Sequence, residues 1–195
     1  MRNRGTRALY EYWQSAKGSQ EVPSRTNIEP RGLKEVLPWV FILEHVDREL
    51  SPFRLAGTGL CDQYGQELRG TNFLSLWLGD CRRTMRSLID NVVLMPAGAF
   101  IEFEAQSRLH GRTSGEIVLL PLCDANGDVH QVLGGWFPAI TQDITMDKPL
   151  VRHRITNIRI LSELNTPFTE TVPGMDGERP HLQLVISDGK SVRRS

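Results

Sequence analysis

Residues 57–70 contain residue types that occur in binding sites and active sites. Four of these residues are glycines, at Gly57, Gly59, Gly65 and Gly70. A phosphate-binding loop of the nucleotide-hydrolase kind needs GxxxxGK[ST], because its lysine must reach the phosphates, and neither that lysine nor the spacing is present. The dinucleotide fingerprint GxGxxG fails at its third glycine, which is Asp62. The glycines therefore predict sharp turns, at positions where a positive φ or close packing excludes a Cβ atom.

Three cysteines could act as nucleophiles, Cys61, Cys81 and Cys123. Their odd number and wide spacing fit neither a disulfide framework nor a CxxC zinc pair. No flanking motif supplies a histidine partner, so we interpret them as reduced thiols that pack as small apolar side chains. A small-molecule enzyme that uses Cys61 is kept as an alternative function.

The histidines are scattered along the chain, at His45, His110, His130, His153 and His181. None belongs to an HxxxH or HExxH pair, the spacing that places two imidazoles on one helix face for a metal ion. We interpret His45 and His130 as surface or hydrogen-bonded strand residues. A single axial histidine is enough to hold haem, but no residue stands out for that role. The sequence predicts no metal site and leaves any cofactor unknown.

A basic cluster, Arg82, Arg83 and Arg86, lies near the start of a predicted helix. Its RxxxR spacing resembles the arginine motif of cyclic-dinucleotide receptors, and arginine forks bind phosphates bidentately. The companion D/NxSxxG motif is missing, and the three residues lie opposite the apolar face of the helix. We interpret the cluster as a solvated helix face, with a cyclic-dinucleotide-binding effector as an alternative function.

Length and charge exclude several classes of protein. The 195 residues fit one ordinary domain with extensions. Lys and Arg together number 23, as do Asp and Glu, so no overall field attracts nucleic acid or an anionic membrane. No apolar run approaches the roughly 20 residues that span a bilayer, and the N-terminus has no apolar core of a secretory signal. The sequence predicts a cytoplasmic protein without a membrane span or a nucleic-acid partner.

The first half of the chain predicts helices around one hairpin. Leu9, Tyr12 and Trp13 share one face of a helix over residues 6–17. Residues 39–46 predict a strand that is apolar on both faces, and residues 53–56 return beside it. A longer helix then begins with Asp80 as its N-cap.

The second half predicts a meander of three strands over residues 99–109, 114–123 and 129–140. Alternation in the first of them predicts one solvent-exposed face. Helices and strands in this order indicate an α+β fold with an antiparallel sheet. Residues 150–164 are a basic amphipathic piece that fits either a helix or a strand. The turn-rich tail from Pro167 is predicted to have a mobile end.

Three phrases of this sequence resemble PAS domains, in particular a bacterial family of mostly single-domain PAS-like proteins. They are LPWVFILE at 37–44, FRLAGTGLCDQYGQELRGTNFLSLW at 53–77 and GGWF at 134–137. Within the second, YGQELRGTNF occupies the position of the PAS phrase "fGys.eEliGk". The resemblance implies a five-stranded antiparallel sheet with helices on one face and a small pocket between them. It divides the chain into an N-terminal helix and linker (1–24), a PAS-like domain (25–145) and a C-terminal extension (146–195).

The resemblance also implies a function. PAS domains are sensory or interaction modules, usually without catalysis, whose ligands are haem, flavin, small carboxylates or none. The photoactive flavin type carries NCRFLQ around its cysteine, which GLCDQYGQ does not match, so no flavin adduct is expected at Cys61. We expect a non-enzymatic sensory or adaptor domain of bacterial signal transduction that binds an unknown small ligand, a protein partner or both. We also expect a homodimer that forms through the N-terminal helix and the outer sheet face.

Candidate pocket residues follow from the helix faces and inward strand positions. Each of them is also an ordinary core candidate. They are Leu60, Tyr64, Phe73, Trp77, Met85, Ile89, Phe103 and Trp136.

Overall fold

One antiparallel sheet organises the residues that this computed structural model describes, which are 1–108, 111–139 and 149–161. Its strands are β1 (Val40–Glu44), β2 (Phe53–Ala56), β3 (Gly98–Ser107), β4 (Arg112–Cys123), β5 (Val129–Pro138) and β6 (Leu150–Leu161). They lie in the order β2-β1-β5-β4-β3-β6. The helices are α1 (Arg4–Lys17), α2 (Thr58–Tyr64) and α3 (Gly79–Leu94), joined by short 3-10 turns. The α+β fold with an antiparallel sheet is thus confirmed.

The predicted number of five strands is wrong, because β6 adds a sixth. This strand pairs antiparallel with β3 along its length, with Ile158 opposite Ile101 and His153 opposite Ala105. A strand was one of the two forms that the sequence left open here. Pairing with β3 decides between them, since β3 otherwise has an unpaired edge of backbone N–H and C=O groups. The tail from residue 162 onward lies outside the described residues.

Both faces of β1 are buried, as its sequence predicts. Phe41 and Leu43 belong to the inner core, under α2 and α3, whereas Val40 and Ile42 belong to the outer core. The predicted alternation in β3 is also confirmed, because Ile101, Phe103 and Ala105 are buried while Glu104 is exposed. The central strands therefore need cover on two sides.

Helix α1 supplies the outer cover. Leu9 and Trp13 are buried against the outer face of β4 and β5, and the Trp13 Nε1 atom donates a hydrogen bond to the Pro121 carbonyl at 2.8 Å. The contact is close enough that a Cβ atom at Gly135 would lie 2.6 Å from the Leu9 side chain. The helix thus shields the outer face of the sheet at β4 and β5.

Glycines in the 57–70 stretch allow the backbone to pack closely and to turn sharply. A Cβ atom at Gly57 would lie 2.3 Å from the Pro38 carbonyl oxygen. Gly65 ends α2 with a φ of 62°, in the left-handed region that other residues adopt with strain. The predicted turn role of the glycines is therefore confirmed.

The start of α3 differs from the prediction. Its N-cap residue is Leu78, and Asp80 lies inside the first turn with its carboxylate bonded to Arg83. The Asp80 N-cap is therefore wrong. The carboxylate still stabilises the helix, because negative charge is favourable near the N-terminus of the helix dipole.

Replacement of Leu9 by Ala should reduce the free energy of unfolding by about 2–5 kcal/mol, because it leaves a cavity between α1 and the sheet. Urea unfolding measures this change. Glu11→Ala, on the exposed side of the same helix, is the control and should change stability by less than about 0.5 kcal/mol. Equal, small effects of both substitutions would mean that α1 does not pack on the sheet.

Candidate functional site

The eight predicted pocket residues meet in the inner core. All of them are buried and belong to one hydrophobic cluster between the sheet and helices α2 and α3. Aromatic rings fill the centre of this cluster: the Trp136 ring centroid lies 4.5 Å from that of Phe103, 5.7 Å from that of Tyr64 and 5.9 Å from that of Trp77. The structure thus brings the eight together as packed neighbours.

Of these eight residues, Tyr64 is the one that also borders a surface pocket of about 230 Å³. The pocket lies between the end of α2, the 3-10 turn Phe73–Leu76 and the start of β6. None of its lining residues is Asp, Glu, Lys or Arg, and His153 is the lining residue whose side chain can take up a proton. The lining residues are Tyr64, Gln66, Ser75, Leu76, Leu78, Pro149, Leu150, Val151 and His153.

His153 connects three segments of the chain at this pocket. Its Nδ1 atom lies 2.9 Å from the Leu76 carbonyl oxygen, and its Nε2 atom lies 2.9 Å from the Tyr64 hydroxyl oxygen. Because a carbonyl oxygen only accepts, Nδ1 carries the proton and donates it, and Nε2 then accepts from the Tyr64 hydroxyl. These two bonds tie β6 to both α2 and the 3-10 turn.

Burial keeps this pair uncharged. Desolvation lowers the pKa of His153 from 6.5 to about 4, although the bond to the Leu76 carbonyl acts in the opposite direction. Burial also raises the pKa of Tyr64 well above its ordinary value. Around neutral pH the pocket therefore presents a neutral imidazole and a neutral phenol.

The surroundings of His153 are aromatic and incompletely hydrogen-bonded. The ring centroids of Trp77 and Trp136 each lie 5.3 Å from that of His153. Both indole Nε1 atoms are buried without a hydrogen-bond partner among the described residues. Buried donors are normally paired, so these two indole N–H groups are an exception within the core.

Sequence reasoning did not select His153, because its segment was compatible with either a helix or a strand. One signal was present. The residues on either side, Arg152 and Arg154, are charged, and on a strand that alternation turns the middle residue towards the core. Both arginines are exposed and His153 is half-buried.

Cys61 does not have the surroundings of an activated nucleophile. Burial raises the pKa of its thiol, and the nearby carboxylate of Glu67, 3.6 Å from the sulfur, acts in the same direction. Reactive cysteines need the opposite shift, because the thiolate is the nucleophile. All three cysteines are free, as predicted.

The arginine cluster on α3 is largely engaged within the chain. Arg83 pairs with Asp80, and Arg86 pairs with Glu49 of the β1–β2 connection. Arg82 and Arg83 are exposed, in line with a solvated face, but Arg86 is half-buried. Two of the three guanidinium groups therefore already have carboxylate partners.

No metal centre is found in the described part of the chain, where no three His, Cys, Asp or Glu side chains are grouped to hold an ion. His110 and His181 lie outside it. A haem or flavin does not fit the inner core either, because Trp77, Trp136, Phe103 and Tyr64 fill the space between the helices and the sheet. We therefore assign no chemistry to either group.

A family model described as "PAS domain" matches residues 1–136. The chain belongs to the PAS domain family. The match includes α1 and ends within β5. No curated protein matches the chain at a significant level.

Solved structures with similarity to this PAS domain include two light-oxygen-voltage proteins. One comes from a study titled "Flavin Analogue Sheds Light on Light-Oxygen-Voltage Domain Mechanism", with 13% identity, a TM-score of 0.45, and coverage of 57% of this chain and 84% of that one. The other is a Rhodobacter sphaeroides LOV protein, with 13% identity, a TM-score of 0.44, and coverage of 61% and 73% respectively. The family assignment rests on the sequence match. Among the described residues, no helix has the length and apolar character needed to cross a membrane.

The lowered pKa of His153 predicts a loss of stability in acid. Unfolded chains take up a proton at this residue near pH 6.5, but the folded protein does so only near pH 4. Between these values the unfolded state binds more protons, so the free energy of unfolding should fall by up to about 3 kcal/mol as the pH decreases through that window. Urea unfolding at a series of pH values measures it.

Two histidine variants separate this contribution from other acid effects. His153→Gln should remove most of the loss between pH 6.5 and pH 4, and His130→Gln, on β5, should retain it. An NMR titration in which His153 protonates near its ordinary pKa would contradict the assignment.

Proposed function

We propose that this PAS domain is a non-enzymatic sensory or adaptor module of a bacterial signalling pathway in the cytoplasm. A small ligand binds in the pocket at Tyr64 and His153, and a protein partner responds to the state of that pocket. The hydrogen bond between the Tyr64 hydroxyl and His153 Nε2 carries the proposal, because it is a partly buried polar contact at the wall of an open pocket.

The pocket favours a small, uncharged ligand. Its volume of about 230 Å³ is below the roughly 300–1,000 Å³ of sites that hold drug-sized molecules. Its walls combine the apolar side chains of Leu76 and Leu150 with the neutral Tyr64–His153 pair. A charged ligand would lose its hydration here without gaining an opposite charge.

A route from the ligand to a partner follows from the position of His153. The residue lies on β6, at the edge of the sheet, and its bonds attach that strand to α2 and the 3-10 turn. A ligand that competes for Tyr64 or His153 would loosen this attachment. A protein partner that binds at β6 would respond to this change.

The contacts around the candidate nucleophile support a role without catalysis. Burial and Glu67 both raise the pKa of the Cys61 thiol, which disfavours an enzyme that uses it. The guanidinium groups of Arg83 and Arg86 are already paired with carboxylates, which likewise disfavours binding of cyclic-dinucleotide phosphates.

The proposal includes a homodimer through α1 and the outer sheet face. The apolar side of α1 is used within the chain, through Leu9 and Trp13. The part of the outer face over β3 and β6 carries charges of both signs, with Glu104 paired to Arg154 at 3.0 Å. In a dimer with a two-fold axis at this face, acidic residues of one protomer can lie opposite basic residues of its partner.

The ligand pocket is tested by a pocket-filling substitution. Val151 lies at the rim and is 39% exposed, so Val151→Trp should fill the pocket without disturbing the core. A panel of small neutral compounds that includes benzamide, phenol and 2-pyrrolidone is titrated against both proteins. A compound that binds should shift the NMR signals of Tyr64 and His153 in the wild type, and binding should weaken at least about tenfold in the variant.

Leu55→Trp is the matched control, because this exposed leucine of β2 lies outside the pocket lining. It should bind the panel as the wild type does. Equal binding by the filled variant, or no response to any member of the panel, would contradict a sensory site at this pocket.

Sedimentation equilibrium tests the homodimer separately. The protein should form dimers at concentrations on the order of tens of micromolar. Arg154→Glu reverses one charge of the outer face and should weaken association, whereas Arg83→Glu on α3 should leave it unchanged. A strict monomer at these concentrations would exclude the dimer.

A further inference from the structure

A second surface pocket of about 550 Å³ lies between α3 and the residues that connect β1 to β2. It shares no lining residue with the pocket at Tyr64 and His153. Its volume is within the roughly 300–1,000 Å³ range of small-molecule sites. The lining residues are His45, Asp47, Arg48, Ser87, Asp90, Asn91 and Leu94.

Asp90 leaves an acceptor unused in this pocket. The residue is 8% exposed and lies on α3 among the buried side chains of Leu88, Ile89 and Val93. Its Oδ2 atom accepts a hydrogen bond from Arg48 Nε at 3.1 Å, but its Oδ1 atom has no hydrogen-bond partner. The nearest cationic candidate is His45, whose Nε2 atom lies 3.6 Å away, beyond the normal range for a hydrogen bond. This unpaired carboxylate oxygen can accept a hydrogen bond from a ligand.

The charges around Asp90 favour a cation. Two carboxylates, Asp47 and Asp90, face one guanidinium, that of Arg48, whose side chain is 74% exposed. The neighbouring Glu49 is already paired with Arg86. Carboxylates therefore outnumber guanidinium groups in the lining by two to one. Low-dielectric surroundings strengthen the attraction between such a carboxylate and a cation.

The rim of the pocket is apolar. Leu94 in the lining is 75% exposed, and its neighbour Met95 is 60% exposed. Val46, between the lining residues His45 and Asp47, is 57% exposed. Large apolar side chains grouped beside a concave site are typical of binding surfaces.

We propose that this second pocket binds a small organic amine that carries an apolar group. The ammonium group donates a hydrogen bond to Asp90 Oδ1, and the apolar group covers Leu94. This site is independent of the sensory pocket proposed above.

The proposal is tested on the full chain with two probes of equal size, 2-phenylethylamine and 2-phenylethanol. In an NMR titration the amine should shift the backbone signals of Asp90 and Leu94. The alcohol should bind at least about tenfold more weakly, because a hydrogen bond to a charged group is worth more than one to a neutral group. Equal affinities, or shifts centred on Tyr64 and His153, would overturn the proposal.

Substitutions then test whether the negative charge of Asp90 is responsible for amine binding. Asp90→Asn keeps the shape of the side chain and should weaken amine binding about tenfold or more. Arg48→Gln removes the competing cation and should tighten it. Asp62→Asn, at an exposed carboxylate of α2, is the control and should have no effect. Unchanged binding by Asp90→Asn would overturn the proposal. If that variant does not fold, Arg48→Gln and the two probes on the wild type decide the question.

Discussion

Burial of both faces of the central strands is the constraint on which this structure depends. The side chains of β1 alternate between two cores, Phe41 and Leu43 on one side and Val40 and Ile42 on the other. A sheet of this kind is stable only when each face is shielded from water, since burial of apolar surface is the main driving force of folding. Helices α2 and α3 shield one face and α1 shields the other. The N-terminal helix therefore packs directly on the sheet, and the family match begins at residue 1.

The same constraint explains why aromatic rings pack closely among the eight candidate residues. Aromatic side chains fill the volume between the helices and the sheet, and protein interiors pack with few voids. Polar groups accompany this core where β6 joins the edge of the sheet. There, the Tyr64–His153 pair and two unpaired indole N–H groups combine with a pocket that opens to solvent. The proposed sensory site is thus a feature of the sheet edge more than of the core.

The two proposed sites lie towards opposite edges of the sheet and differ in charge. The pocket beside β6 is neutral, whereas the pocket beside the β1–β2 connection contains a buried carboxylate. Buried charge is costly unless it is paired, and the Asp90 carboxylate is hydrogen-bonded through one of its two oxygens, to Arg48. A neutral ligand at one edge and an amine at the other would give one small domain two independent inputs.

The sequence by itself determined the local elements and the fold class. Periodicity predicted α1, both faces of β1 and the alternation in β3, because side-chain spacing follows directly from helix and strand geometry. The glycine pattern and the PAS-like phrases predicted the path around α2. Tertiary structure alone decided the sixth strand, the N-cap of α3 and the site at His153. His153 meets Tyr64 across 89 positions of the chain, and Asp90 meets Arg48 across 42. Such contacts join residues that are far apart in the sequence, so they form only once the helices and strands have packed together.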